Sequence, residues 1–167
     1  MVKESAMIDE GDKKLLALLQ NAGRLPIVEL ARRANMSETT CLRRVRSLEA
    51  AGVITGYRAE IDQDLTGFAV TAFVQVSLDQ RVEAATDTFK LAIEREPWVL
   101  ECYSVAGSFD HLLKVVAPDN KALSRFILKE LSTYESVRDF QTVFVLDTVK
   151  LDHTVPLSPE RRIARPR

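Results

Sequence analysis

The sequence predicts an α+β chain of two units, a helical one closed by a short hairpin and one of order β-α-β-β-α-β. Three observations carry that expectation. Up to about residue 50 the apolar residues recur at helical spacing, broken at Ala22-Gly23 and at Asn35-Met36-Ser37. From Ala69 to Leu78 they alternate instead, with Val70, Ala72, Val74, Val76 and Leu78 on one side. Alternating and helical stretches then succeed each other to Val149, past a seam at Leu65-Thr66-Gly67. The expected boundaries are residues 1–62, 63–150 and a basic, flexible tail at 151–167.

In the first unit, Ile8 to Asn21 reads as an amphipathic helix with Ile8, Leu15, Leu18 and Leu19 on one face. Asp9 and Asp12 stand at cap and N3 spacing. Pro26 opens a second helix that runs to about Ala34, with Ile27, Leu30 and Ala31 inward. Asn35 ends it, because Asn tolerates the left-handed conformation of a sharp turn, and Ser37 offers its hydroxyl as the cap of a third helix. At about 100° per residue, Cys41, Leu42, Val45 and Leu48 fall in one sector of that helix. Thr39, Thr40, Arg43, Arg46 and Ser47 fall in the opposite sector. After Gly52, Val53-Ile54 and Tyr57 to Ile61 bracket Thr55-Gly56 as a hairpin or wing.

In the second unit, Val82, Ala85, Phe89, Ala92 and Ile93 mark a helix that Pro97 closes. Trp98–Val105 and His111–Ala117 read as strands joined by Gly107-Ser108-Phe109-Asp110, with His111 partly exposed. Residues from about Asn120 to Thr133 form a second helix, and Val137–Val149 a last strand. That order is ferredoxin-like, with both helices on one face of an antiparallel sheet. Val143 and Val145 oppose Phe140, Phe144 and Leu146 on the last strand, so the uncovered face needs a partner, most simply a second copy of the sheet.

Charge separates the units. The chain carries a formal charge of -1, yet the segment from Arg24 to Ala59 holds seven arginines against three glutamates. Charge of this kind, beside hydroxyls on one helix face, is what a helix-turn-helix offers to a major groove. Arg43 suits bidentate contact with guanine. The hydroxyls of Thr39 and Thr40 can bond bases or phosphates, Arg44 on the flank suits a phosphate, and Ser37, Arg46 and Ser47 complete the expected DNA-binding set. A merely solvated helix face is the plain alternative. It is opposed by the scarcity of local acidic residues and by the short side chains at the start of the helix.

Other classes find little support. No stretch approaches the roughly 18 apolar residues of a membrane span, and the N-terminus lacks a signal-peptide core, so a cytoplasmic, nucleoid-associated protein is expected. Cys41 and Cys102 lie far apart without metal-ligand spacing, so no metal is expected. No nucleophile-base grouping and no phosphate-binding glycine motif argues for an enzyme. His153 has no metal-binding partner nearby. The turn around Asp110 has two readings, an ordinary Asx turn and a small-molecule site.

Ile8-Asp9, Gly23-Arg24, Glu29-Leu30-Ala31, Met36-Ser37, Cys41-Leu42-Arg43-Arg44-Val45, Leu48-Glu49, Gly52-Val53-Ile54 and Gly56-Tyr57 together resemble the DNA-binding half of the Lrp/AsnC family of transcription regulators. Gly107-Ser108-Phe109-Asp110-His111-Leu112-Leu113 resembles its glycine-aspartate loop. The resemblance implies a winged helix-turn-helix regulator of double-stranded DNA that forms homodimers, or octamers. Its implied effector is an amino acid held between subunits at Ser104, Gly107 and Asp110, with Gln141 and Thr142 from a neighbour. An effector-independent architectural DNA binder is the alternative. The sequence departs from the family pattern at Ser108, at His111, where tyrosine is usual, and at Tyr134-Glu135. Arg161, Arg162, Arg165 and Arg167 have no family counterpart; a disordered solubilising end is one reading and an extra phosphate clamp the other.

Overall fold

The structure is a computed structural model in which residues 8–79, 81 and 84–157 are described. The expectations placed on Val82 and on the four tail arginines lie outside those residues. The chain divides into two compact units, residues 8–60 together with 150–157, and residues 61–149.

The first unit contains three helices, α1 (Glu10–Asn21), α2 (Ile27–Ala34) and α3 (Glu38–Ala50). Asp9 caps α1: its Oδ1 accepts from the Asp12 N–H at 2.8 Å, and the Asp9 N–H donates to Asp12 Oδ2 at 3.3 Å. Pro26 stands at the cap of α2, where its missing N–H costs nothing. Asn35 ends that helix at φ 59°, and the Met36 N–H reaches back to the Ala31 carbonyl at 3.0 Å, a Schellman-type closure. Ser37 caps α3 two residues later. Leu15, Leu30, Ala31, Ala34, Cys41 and Val45 are buried together between the helices, with Ile54 packed against them.

No wing follows. Residues 53–61 hold no strand, and the Val53 and Ile54 N–H groups both turn back to the Leu48 carbonyl. The apolar pair is thereby used to close α3. An isolated two-stranded hairpin has little stability of its own in water, and Tyr57 to Ile61 is exposed throughout.

The second unit is a four-stranded antiparallel sheet in the order β2-β3-β1-β4, made of β1 (Val70–Leu78), β2 (Val99–Ser104), β3 (His111–Ala117) and β4 (Val137–Phe144). This is the ferredoxin-like order that the element sequence predicts. Two helices, α4 (Ala85–Ile93) and α5 (Asn120–Lys129), cover one face. Phe89, Ile93, Leu123, Phe126 and Leu131 meet Ala72, Val74, Val76, Leu113 and Val115 there in a continuous core. Strand alternation sends Thr71, Phe73 and Gln75 to the opposite face.

Two expectations are corrected. The last strand stops at Phe144 rather than Val149; only the Val145 N–H still reaches β1, at the Thr71 carbonyl, and Leu146 is 97% exposed. His111 is buried, not partly exposed: it stacks on Phe89 with ring centroids 5.0 Å apart.

Candidate nucleic-acid interface and ligand-binding residues

Helix α3 carries the expected outward face. Thr39, Arg43, Arg46 and Ser47 are exposed, while Cys41, Val45 and Leu48 are buried and Leu42 is half-buried. Arg43 and Arg46 have no hydrogen bond or ion pair among the described residues. They therefore meet solvent as free guanidiniums, able to make bidentate contacts.

The hydroxyls at the start of α3 are partly occupied. Ser37 Oγ accepts from the Thr40 N–H at 3.3 Å and donates to Thr40 Oγ1 at 2.9 Å. Ser37 and Thr40 thus fix the helix start, and Thr39 is left as the open hydroxyl beside Arg43.

Arg44, expected to face a phosphate, is turned inward. Its Nη1 donates to Asp9 Oδ2 at 2.7 Å and to Asp12 Oδ1 at 2.8 Å. The carboxylates that cap α1 thereby hold α3 as well. Asp9 lies below the ordinary carboxylate range, first because it accepts the Asp12 backbone N–H and then because Arg44 bonds it. Gly11 leaves room for this arrangement, since a Cβ there would stand 3.1 Å from Asp9 Oδ1 and 3.4 Å from Arg44 Cζ. Sequence reading missed the tie because the charges lie 32 and 35 residues apart, and no local spacing announces it. A groove of about 140 Å³ between the start of α1 and α3 is lined by Asp12, Arg43, Arg44 and Ser47.

On α2 the two arginines share one anion. Arg32 bonds Glu29 at 2.8 and 2.7 Å and Arg33 bonds it at 2.6 Å. Those hydrogen bonds, Arg32's first, bring the Glu29 carboxyl down to about 2. Of the arginines on α2 and α3, Arg43 and Arg46 are thus the two left without an acidic partner among the described residues.

The ligand-site candidates fall into two groups. Ser104 ends β2, and Gly107 and Asp110 lie in the turn to β3. Gln141 and Thr142 lie on β4, opposite Gln75 and Val74 of β1. Strands β2 and β4 are the two edges of the sheet, so three strand spacings, about 14 Å, separate Ser104 from Gln141 and Thr142 within one chain, while Asp110 stands against β1, the neighbour of β4. An amino acid does not bridge Ser104 and the β4 pair across that width within a single copy.

The Asp110 carboxylate is already engaged. Its Oδ2 accepts from the Leu78 N–H at 2.7 Å, while the Asp110 N–H donates to the Val76 carbonyl at 2.9 Å. It clasps the turn to the end of β1. Ser104 Oγ lies 3.3 Å from His111 Nδ1. Burial, then Lys90, holds the His111 imidazole below its ordinary range, so it is neutral at physiological pH. A cavity of about 410 Å³ opens beside Ser104, between α4 and β2, with Lys90, Glu94, Glu101 and Cys102 on its wall. None of the other ligand-site candidates lines it.

Two family models match the chain, an AsnC-type helix-turn-helix domain over residues 8–49 and an Lrp/AsnC ligand binding domain over residues 71–155. The chain belongs to the Lrp/AsnC family. It is a transcription regulator of that type, with a helix-turn-helix domain and a ligand-binding domain. The leucine-responsive regulatory protein of Rhizobium meliloti is 38% identical over 143 residues, 86% of this chain and 92% of the relative. The Escherichia coli K12 protein of the same name is 34% identical and covers 86% of this chain and 87% of its own length. Among solved structures, a transcriptional regulator of Neisseria meningitidis in complex with L-Met superposes with a TM-score of 0.88 at 35% identity. That match covers 90% of this chain and 97% of the other. A feast or famine regulatory protein of M. tuberculosis complexed with L-methionine gives a TM-score of 0.81 at 33% identity, covering 89% and 98%.

Among the described residues of the Lrp/AsnC regulator, no His, Cys, Asp and Glu cluster of metal-binding size occurs, and no helix is long and apolar enough to cross a membrane. Tyr134 lies between α5 and β4. The ring meets Phe89 edge-on at 6.3 Å and the hydroxyl donates to Glu96 at 3.0 Å, which closes the margin of the helix layer. Burial first, and that hydrogen bond second, push its phenol up to about 12.

Proposed function

We propose that this regulator reads a near-palindromic DNA site in the cytoplasm as a homodimer or larger homo-oligomer, and that an amino acid bound between subunits modulates it. The outward face of α3 carries the DNA reading: Thr39, Arg43, Arg46 and Ser47 stand together, exposed, on a helix capped at Ser37. Arg43 reads a base, Thr39 and Ser47 bond bases or phosphates, and Arg46 grips the backbone. Ser37, Thr40 and Arg44 hold the helix in register.

The separation of Ser104 from Gln141 and Thr142, on opposite edges of the sheet, supports a site shared between copies. Two relatives of known structure hold L-methionine. That ligand is the first effector to test, ahead of other amino acids with apolar side chains.

Genome-wide mapping of bound sites, followed by titration of the recovered duplex with L-methionine and other amino acids, tests the reading. Arg43→Ala should weaken the recovered site by about 1 to 3 kcal/mol and relax its base preference, with scrambled duplex little affected. Absence of any preferred duplex would overturn it. A preferred duplex with no response to any amino acid, in affinity or particle mass, would leave the architectural alternative.

A further inference from the structure

The open cavity beside Ser104 is built from one turn of α4 and one irregular strand edge. On α4, Lys90, Ile93 and Glu94 stand at i, i+3 and i+4 and share a face. Ile93 is buried, while Lys90 and Glu94 are exposed, and their side chains have no hydrogen bond or ion pair among the described residues. On β2 the pairing with β3 shifts register between Val99 and Glu101. A bulge of that kind re-aims the side chain it carries, and Leu100 is left 53% exposed on the cavity wall. Cys102 and Ser104 pair with the buried Leu113 and His111, so they point to the side of the sheet that α4 covers.

The wall therefore offers an apolar strip flanked by a free cation and a free anion, around about 410 Å³. That volume is of the size small molecules occupy. Two opposite charges one helical turn apart, their Cβ atoms about 5 to 6 Å from each other, suit neither a simple anion nor a simple cation, because either would meet its like charge. They suit a molecule that carries both signs. Lysine placed before glutamate is also the weaker order for a pair on a helix, which leaves both side chains free to turn to a ligand.

We propose that this cavity binds a small zwitterion with an apolar body, its carboxylate on Lys90, its ammonium on Glu94 and its apolar part against Ile93, Leu100 and Cys102. A free amino acid and a dipeptide share that chemistry. The lining comes from a single chain, so the site is complete without a second copy. It has only Ser104 in common with the shared site proposed above.

Cys102 reports on the cavity. It is exposed, whereas Cys41 is buried, so iodoacetamide labels Cys102 first. L-leucine and L-leucyl-L-leucine serve as separate probes on the full chain, and the one that protects at lower concentration identifies the source. Protection from alkylation should be saturable. Lys90→Gln and Glu94→Gln should each raise the half-protecting concentration about tenfold, the loss of one charge-assisted hydrogen bond. Partial desolvation lifts the Cys102 thiol above its ordinary range and Lys90 draws it back, so each variant is compared with and without probe. Gln141→Ala and the particle mass are measured in parallel. No saturable protection with either probe overturns the proposal, as does protection undiminished in either charge variant. Protection lost in Gln141→Ala, or matched by a change in particle mass, overturns it too, by placing the probe at the shared site.

Discussion

The helical unit and the sheet unit keep their polar groups in opposite places. In the first, the buried set is small and aliphatic, and the charged groups lie outside in pairs or alone: Glu29 with two arginines, Arg44 with two aspartates, Arg43 and Arg46 with nothing among the described residues. In the second, a larger core shelters His111 and Ser136. A surface that must recognise a polyanion needs charge in water and little depth beneath it. A domain that must hold a turn in shape for a small ligand needs the reverse.

That contrast can be broken most forcefully through the cores. Phe89→Ala removes a fully buried ring that touches His111 and Tyr134, and it should cost the sheet unit about 3 to 5 kcal/mol. Leu30→Ala should cost the helical unit about 2 to 5 kcal/mol. Scanning calorimetry should resolve two transitions, each moved by its own variant; one shared transition that responds equally to both would refute independent cores.

Capping is the next level down. Ser37→Ala leaves the Thr40 N–H without its acceptor and should cost about 1 kcal/mol, while Ser37→Asp should restore the midpoint. Smaller still is the tie between α1 and α3. Arg44→Ala should lower the midpoint of the helical unit by less than Leu30→Ala does, and weaken all duplexes alike by loosening α3. Arg44→Lys should recover part of both. A loss confined to the specific duplex would show that Arg44 reads bases after all.

The subtlest test is acid. His111 has a folded pKa below that of the unfolded chain, so below about pH 6.5 the unfolded state binds the proton more readily. The stability contributed by the neutral imidazole is therefore present above that value and falls as pH drops toward the folded pKa. His111→Phe, which keeps a ring against Phe89, should flatten the decline of the sheet unit's midpoint between about pH 7 and 5. An unaltered decline would assign it to other groups.

The elements that sequence made legible are those specified by short-range chemistry. Asp9, Pro26, Asn35 and Ser37 each act on backbone groups within a few residues, and helix limits follow from them. Strand β1 alternates cleanly because one of its faces meets both helices. Where the deciding partner is distant, local pattern fails. Val53 and Ile54 look like half a hairpin until the Leu48 carbonyl takes both N–H groups. Leu146 continues an apolar run although the registered pairing with β1 stops at Phe144, opposite Ala72. Arg44 looks like its neighbour Arg43 until Asp9 and Asp12 arrive from another helix. His111 reads as a polar residue near a turn until Phe89 covers it. The exposed face of α3 was legible because the period of a helix alone places Thr39, Arg43 and Ser47 together.

The sheet order has a further consequence for how such a protein would respond. With Ser104 and the Gln141–Thr142 pair of the proposed effector site on opposite margins of each sheet, a site that uses both would require a second molecule as much as it requires the effector. Occupancy then rises with the product of two abundances, and the apparent midpoint for the metabolite slides as the cell makes more or less of the regulator. Sensing and self-counting would be one measurement.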